Sequence, residues 1–281
     1  MPTTPAPAHV HRGDALAWLS GLPEASADAV VTDPPYSSGG MLRGDRTGTT
    51  RTKYSSSKSA HGQYADFSGD NRDQRAWGYW MSLWLGEAIR VVKPGGVLIM
   101  FCDWRQLPTA TDVVQSGGWV WRGLIPWIKP DSRPQQGRFT QNAEFVVWAS
   151  NGPMPIGGAT LPGYYIARAP RVNEGRRHLT QKPVGVVRSL VRIAPRDGLV
   201  IDPFTGSGTT GVACVHEQRR FAGCEISRLH HANATERITQ AQEAPDADGL
   251  ASASSASSAR PASTNSPGPG TAGQPGSTDR S

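Results

Sequence analysis

Residues 199–211, Leu-Val-Ile-Asp-Pro-Phe-Thr-Gly-Ser-Gly-Thr-Thr-Gly, constrain the fold more than any other stretch. The apolar run Leu199 to Ile201 reads as a buried strand. Pro203 stops it, and the glycines let the chain turn tightly into a helix from about Thr210 to Glu217. A second strand, Arg220 to Cys224, follows and ends at Glu225. Strand, glycine turn, helix and strand form a unit of parallel sheet with helices packed on it, so the expected class is α/β.

Gly206, Gly208 and Gly211 satisfy G-x-G-x-x-G, and Glu225 stands about 20 residues on, as in dinucleotide sites. Three features argue against a nicotinamide dinucleotide. Asp202 sits at the strand's end, where a carboxylate opposes a pyrophosphate. Pro203, Phe204 and Thr205 move the glycines away from the strand tip. Too few residues follow for a second mononucleotide half. A cationic ligand with a ribose fits better: Asp202 can face a sulfonium or ammonium, Gly206 and Gly208 allow close approach, and Glu225 can hold the hydroxyls.

A second strand end carries Asp33-Pro34-Pro35-Tyr36. The apolar run before it, from Asp28 to Thr32, cannot continue through two prolines, which lack N–H groups and have fixed φ. The carboxylate of Asp33, carbonyls with no competing N–H, and the ring of Tyr36 are therefore held stiffly at a C-terminal strand edge, where open α/β sheets bind ligands. A planar base with an exocyclic amino group matches that set: the carboxylate and a carbonyl each accept one N–H, and the ring stacks.

The rest of the chain supplies the scaffold. Strands are expected at His9–His11, Val97–Cys102, Gly118–Trp127 and Glu144–Ala149, the last two as an antiparallel edge. Helices are expected at Ala15–Leu22, Ala76–Val92, Leu107–Ser116, Val184–Ala194 and His230–Gln242. Trp77, Trp80, Trp84 and Ala88 recur at helical spacing and read as a core face, not a base-stacking platform. Lys93-Pro94-Gly95-Gly96 reads as the breaker that ends one helix.

Two segments have no periodicity. Residues 37–64 are rich in Gly, Ser and Thr and carry Arg43, Arg46, Arg51, Lys53 and Lys58 against Asp45 alone; residues 151–177 carry Arg168, Arg171, Arg176 and Arg177 against Glu174. Long basic loops beside a site suit phosphate contacts. The chain has 29 Lys+Arg against 23 Asp+Glu. Acids outnumber bases in the last residues, so the remainder is more basic than the whole, which suits a polyanion. From about residue 243 the composition falls to Ala, Ser, Pro, Gly, Thr and Asp, which cannot build a core and reads as a disordered tail, 243–281. Residues 1–8 read as a loose leader and 9–242 as one domain. Cys102, Cys214 and Cys224 have no pairing pattern and read as buried free thiols of a reducing compartment. No stretch has membrane-spanning length and no signal peptide is evident, so the cytoplasm is the expected location. No metal-ligand spacing stands out.

Taken together, Asp33 to Tyr36 and Asp202 to Thr210 resemble the motifs (D/N/S)-P-P-(Y/F) and D-P-F-x-G-S-G-T-T of the S-adenosylmethionine-dependent DNA amino-methyltransferases. Val91-Val92-Lys93-Pro94-Gly95-Gly96, Trp127-Ile128-Lys129 and Thr180-Gln181-Lys182-Pro183 look like further landmarks of that family. The catalytic motif precedes the cofactor motif, as in its circularly permuted β-type, and the resemblance spans roughly residues 9–240. It implies a permuted Rossmann-like fold with a mostly parallel sheet and helices on both faces. It implies a site-specific enzyme of the restriction–modification kind, with DNA as partner and a homodimer among the possible assemblies. Asp33, Pro34, Pro35 and Tyr36 would be the catalytic set. Asp202, Pro203, Phe204, Thr205, Gly206, Gly208, Thr209, Thr210 and Glu225 would hold S-adenosyl-L-methionine, with Lys182 on its carboxylate and Asp14 on its adenosyl half. Arg43, Arg46, Arg51, Lys53, Arg168 and Arg171 would touch DNA. Asp rather than Ser in the catalytic motif tilts towards adenine N6 over cytosine N4. Residues 151–177 are short for a recognition region, so recognition would be shared with 37–64. Methylation of RNA or of a protein amide, and a non-catalytic DNA-binding module, remain as alternatives; the motif order and the intact Asp33 and glycines argue against them.

Overall fold

The computed structural model describes residues 7–36, 72–132, 134, 136–158, 160–170 and 181–244. Most of the leader, the 37–64 segment, residues 171–180 and the tail from 245 onward lie outside the described residues. Arg43, Arg46, Arg51, Lys53 and Arg171 lie there too.

The elements in chain order are β1 (Ala8–Arg12), α1 (Ala15–Ser20), β2 (Ala27–Thr32), α2 (Gln74–Val91), β3 (Val92–Cys102), α3 (Leu107–Ser116), β4 (Val120–Ile128), β5 (Ala143–Ser150), β6 (Tyr165–Ile166), α4 (Val184–Val191), β7 (Leu199–Asp202), α5 (Thr209–His216), β8 (Arg220–Glu225) and α6 (Arg228–Glu243). The strands form one sheet in the order β1-β8-β7-β2-β3-β5-β4-β6. Only β5 runs against its neighbours, pairing antiparallel with β3 and β4, while the short β6 runs parallel to β4. The mostly parallel sheet is as expected, with the antiparallel strand lying two places in from the edge.

Alternation along the central strands divides the core between two helical layers. Val30, Leu98, Met100 and Ile201 pack with Leu19 of α1, Trp77, Met81 and Trp84 of α2, and Val113 of α3. Ala29, Val31, Ile99, Phe101 and Val200 pack with Val187 and Leu190 of α4, Val212 of α5 and Ile238 of α6. Because both faces are covered, these strands read as unbroken apolar runs in the sequence. Trp77 and Trp84 are fully buried, as the spacing suggests. Trp80 differs: it is half-buried, and its ring lies 5.3 Å from that of Phe204. The three cysteines are buried and free.

Two details depart from the sequence reading. Lys93-Pro94-Gly95-Gly96 ends α2, yet it belongs to β3. Ala27 pairs with Val92 and Ala29 with Val97, so the extra residues form a bulge against β2. Gly96 is needed there, since a Cβ would come 2.8 Å from the Asp28 carbonyl and 2.5 Å from Val92. The strand β6 was not foreseen. It has two residues and pairs through its backbone alone, which leaves no side-chain pattern to read.

The site is set by the sheet order. From β2 the chain crosses through α2 to β3 on one side; from β7 it crosses through α5 to β8 on the other. Adjacent strands whose connections diverge leave a crevice at their carboxyl ends. Asp33 follows β2 and Asp202 closes β7, so both candidate motifs emerge at this switch point. At the opposite end of these strands, Asp28 accepts from Lys93 Nζ at 2.7 Å and from the Leu199 N–H at 2.8 Å, tying β2 to both neighbours. Asp28→Ala leaves that N–H without its acceptor and should lower unfolding free energy by about 1–3 kcal/mol. Urea denaturation checks this, and a loss below a few tenths of a kcal/mol would remove the brace from the account.

Candidate active site

A cavity of about 250 Å³ opens at the switch point and is lined by both motifs, from Thr32 to Tyr36 and from Asp202 to Thr210 excluding Gly208. Gly13, Asp14, Lys182 and Glu225 also line it. The structure thus brings together Asp33, Pro34, Pro35, Tyr36, Asp202, Pro203, Phe204, Thr205, Gly206, Thr209, Thr210, Glu225, Lys182 and Asp14. Gly208 sits just behind, at the start of α5, with φ +83°. A Cβ there would lie 2.9 Å from Ala234 Cα, so Gly208 lets α6 press against the turn. Arg168 is exposed and is not part of this cavity.

The two motifs are joined directly. Thr32 Oγ1 donates to Asp202 Oδ1 at 2.7 Å, and the Phe204 N–H donates to the same oxygen at 3.0 Å. Burial pushes the Asp202 carboxyl up to about 7, against the pull of the Thr32, Thr210 and Phe204 donors. Glu225 plays the matching part on β8. Its Oε2 accepts from the Gly206 N–H at 2.9 Å and its Oε1 from the Ser227 N–H at 2.8 Å. Both carboxylates therefore hold the turn in shape as well as facing the cavity. Arg237 of α6 adds a donor to the Ser207 carbonyl, fastening the turn from behind. Asp14 caps α1 through the Ala17 N–H at 3.0 Å.

The Asp33 turn is built as stiffly. Trp77 Nε1 donates to the Pro35 carbonyl at 2.7 Å, which anchors the turn to α2. Among the described residues the Pro34 carbonyl receives no such donor. Asp33 is gripped at both oxygens: Tyr36 donates its hydroxyl to Oδ1 at 2.6 Å and Lys182 Nζ lies 2.6 Å from Oδ2. A carboxylate has about four lone-pair sites, so each oxygen keeps room for another donor.

Lys182 is placed on Asp33, a position the sequence alone did not suggest. Its Nζ also lies 3.5 Å from Glu144 Oε2, and Glu144 Oε1 lies 2.8 Å from Lys129 Nζ. Asp33, Lys182, Glu144 and Lys129 thus form a chain of alternating charge. Burial raises the Asp33 carboxyl above its ordinary value despite Lys182. Burial works against the Lys182 charge, but Asp33 and Glu144 together hold its pKa above the usual lysine value. Glu144 is depressed because Lys182 and Lys129 outweigh its burial. Glu144 lies on β5 and Lys129 just beyond the end of β4; only Lys129, in the Trp-Ile-Lys landmark, had any signal in the sequence. Trp80, Phe101, Arg72, Ser227 and His230 also line the cavity and were not singled out as site residues. Among the described residues no group of His, Cys, Asp and Glu converges as a metal site.

The cavity suits a cationic ligand with hydroxyls. It presents Asp14, Asp33, Asp202 and Glu225, and a Cβ on Gly206 would project into space where the nearest atom is 3.9 Å away.

Residues 27–159 and 160–236 match the family model for DNA methylases directed at N6 and N4 amino groups. The chain belongs to this DNA methylase family. The family uses S-adenosylmethionine. Over 241 residues the chain is 26% identical to the type II methyltransferase M2.MboI of Moraxella bovis, covering 77% of this chain and 82% of that one. Solved structures share the fold. The M1.HpyAVI–SAM complex superposes with TM-score 0.58 at 24% identity, over 82% of this chain and 98% of that one. The cytosine-N4-specific PvuII DNA methyltransferase gives 0.60 at 17% identity, over 86% and 95%.

Glu144→Gln removes a negative charge facing the Lys182–Asp33 pair. A nearby anion disfavours ionisation of Asp33, so its carboxyl should titrate at lower pH in the variant than in the wild type. Carbon-13 NMR of the Asp33 carboxyl measures this, and an unchanged midpoint would mean that the charge chain is not coupled.

Proposed function

We propose that this chain transfers a methyl group from S-adenosyl-L-methionine to the exocyclic amine of a base flipped out of DNA, with adenine N6 as the favoured acceptor. The observation that carries the reading is the shared cavity: a donor-gripped Asp33 beside a Pro34 carbonyl, on a strand end hydrogen-bonded through Thr32 to the Asp202 turn. The amino lone pair of adenine is delocalised into its ring and is a poor nucleophile. Asp33 and the Pro34 carbonyl each accept one amino N–H. That draws the nitrogen towards tetrahedral geometry and localises its lone pair. Tyr36 stacks beneath the base, with its hydroxyl fixing the Asp33 carboxylate. Lys182 holds that carboxylate in place and keeps it ionised, so it acts as an acceptor. Asp202 faces the cationic part of the cofactor, Glu225 its ribose hydroxyls and Asp14 its adenosyl half. When bound, the cofactor supplies a sulfonium-activated methyl group.

A paired base cannot reach a cavity walled by Pro35 and Phe204, so it must leave the stack. Basic side chains at Arg43, Arg46, Arg51, Lys53, Arg168 and Arg171 suit the phosphates. The preference for adenine rests on Asp at position 33. Cytosine N4 is the second reading, favoured by the likeness to a cytosine-N4-specific enzyme, though at fold level only. A cytoplasmic enzyme fits this substrate; among the described residues no helix is long and apolar enough to cross a membrane.

Expression in a methylation-free host, followed by sequencing of its DNA for modified bases, should give N6-methyladenine at one short site. N4-methylcytosine would move the choice to the second reading, and unmodified DNA would sink both. Asp33→Ala should abolish the mark while calorimetry still detects cofactor binding.

Asp202 gives a pH signature. Its carboxyl is protonated below about 7, and a cationic ligand favours the ionised form. Affinity for S-adenosylmethionine should therefore fall as pH drops through that value, and Asp202→Asn should flatten the profile. A variant that keeps the wild-type slope would show that another group faces the cation.

A further inference from the structure

The carboxylates assigned to the cofactor belong to one half of the sheet. Asp14 follows β1, Glu225 ends β8 and Asp202 ends β7, while Asp33 follows β2 at the switch point. A base that meets Asp33 therefore arrives with its duplex over the other half, β2-β3-β5-β4. β3 runs parallel to β2, and β5 runs against both β3 and β4, so β3 and β4 end at the same edge as Asp33. Two segments leave that edge: 103–106 after β3, and 129–142 between β4 and β5.

Trp104 stands on the first of them. Thr32 pairs with Met100, so Asp33 is level with Phe101, which lines the cavity. Trp104 comes three residues after Phe101, within a chain reach of about 11 Å. Tryptophan is highly buried on average, and Trp77, Trp84, Trp119 and Trp127 follow that rule. Trp104 is 48% exposed. The other exposed tryptophan, Trp121, lies near the amino end of β4, at the far end of the sheet from the site. The turn that carries Trp104 is fixed. Asp103 Oδ1 accepts from the Arg105 N–H at 3.1 Å and from the Gln106 N–H at 3.0 Å. The Gln106 carbonyl accepts the Ala110 N–H at 2.7 Å, which carries the turn straight into α3. The Arg105 guanidinium carbon lies 4.9 Å from the centre of the Trp104 ring, and Nη1 lies 3.6 Å from Asp103 Oδ2. A large ring is thus held beside the site by its own neighbours, half in solvent. Phe139, on the longer second segment, is 95% exposed.

A base drawn out of a duplex leaves its partner unpaired and its two neighbours without a stacking face. Proteins that open or kink duplexes fill such gaps with apolar wedges, and an aromatic ring stacks on any base. We infer that Trp104 enters the duplex where the target base has left it and stacks in the vacated space, with Arg105 steadying the ring. The inference rests on the base-flipping reading above and adds what holds the duplex open. It places a DNA contact on a turn outside the two basic segments, 37–64 and 151–177.

Single-turnover methyl transfer, on duplexes carrying the site found by sequencing, tests this. One duplex is fully paired; the other has an abasic position opposite the target. On the paired duplex at subsaturating DNA, Trp104→Ala should be slower than the wild type by about tenfold to a hundredfold, the range of one base–aromatic stack. On the abasic duplex no pair has to be broken, and the variant should come within about threefold of the wild type. Its affinity for S-adenosylhomocysteine should be unchanged. Trp104→Phe should keep most of the rate on the paired duplex, and Trp121→Ala all of it. Trp104→Gln, which keeps a long side chain without the ring, takes the place of the alanine variant if that melts early. A wild-type rate in Trp104→Ala on the paired duplex overturns the inference and leaves the base-flipping reading intact. So does a loss that is equal on both duplexes, or a rescue by the abasic duplex seen in Phe139→Ala instead. A wild type that binds the cofactor but leaves both duplexes unmodified overturns both.

Discussion

The hydrogen bond from Thr32 to Asp202 is the contact on which the rest of the site depends. The backbone ladder between β2 and β7 has just two register pairs, Ala29 with Val200 and Val30 with Ile201. Beyond them, strand twist would let the two ends part. The buried side-chain bond closes them again at the level where the two motifs leave the sheet. Its acceptor oxygen also receives the Phe204 N–H, so one atom fixes both the spacing of the strands and the first turn of the glycine segment. Asp28 does the same work at the far end of β2. The central strand is thus pinned at both ends by carboxylates, and its middle is pinned by packing.

The charges of the site follow an order of their own. A lone buried carboxylate would take up a proton, and a lone buried lysine would lose one. Asp33 and Lys182 each favour the other's charged form, and Glu144 and Lys129 extend the alternation towards β4 and β5. In the proposed reaction Asp33 accepts one amino hydrogen, and such an arrangement holds it in place for that. It is fixed by Tyr36 on one oxygen and Lys182 on the other, and Lys182 works against the upward push of burial on its carboxyl. The Pro34 carbonyl beside it adds a second acceptor with no charge to balance.

Most of the fold was legible because parallel strands buried on both faces write themselves as apolar runs, and because glycine and proline mark their ends. The run Leu199–Ile201 and the helix Leu107–Ser116 are of this kind. The site was legible where one short segment carries the chemistry, as at Asp33 to Tyr36. It was not legible where the chemistry depends on residues far apart in the chain. Lys182 meets Asp33 across a separation of 149 residues, and a single lysine gives no local sign of which carboxylate it will find. Trp80 looked like its neighbours Trp77 and Trp84 because helical spacing reports a face, and the edge of that face turns out to border the cavity. Glu144 reads as the first acid of an apolar strand until β5 is placed next to β3. The two-residue β6 has no pattern at all.

The strand order has a consequence for the chain while it is being made. During synthesis β2 emerges early and its partner β3 follows, but β7, its other neighbour, is encoded about 170 residues after Thr32. At about 5–20 residues per second that is a wait of roughly 10–30 seconds. Until β3 is made both edges of the central strand are open, and from then until β7 arrives one edge stays open, with Ala29 and Val31 lacking the full α4–α6 layer that will cover them. The chain order therefore builds the half that carries Asp33 first, and leaves it unsealed until the ribosome delivers the half that completes the sheet.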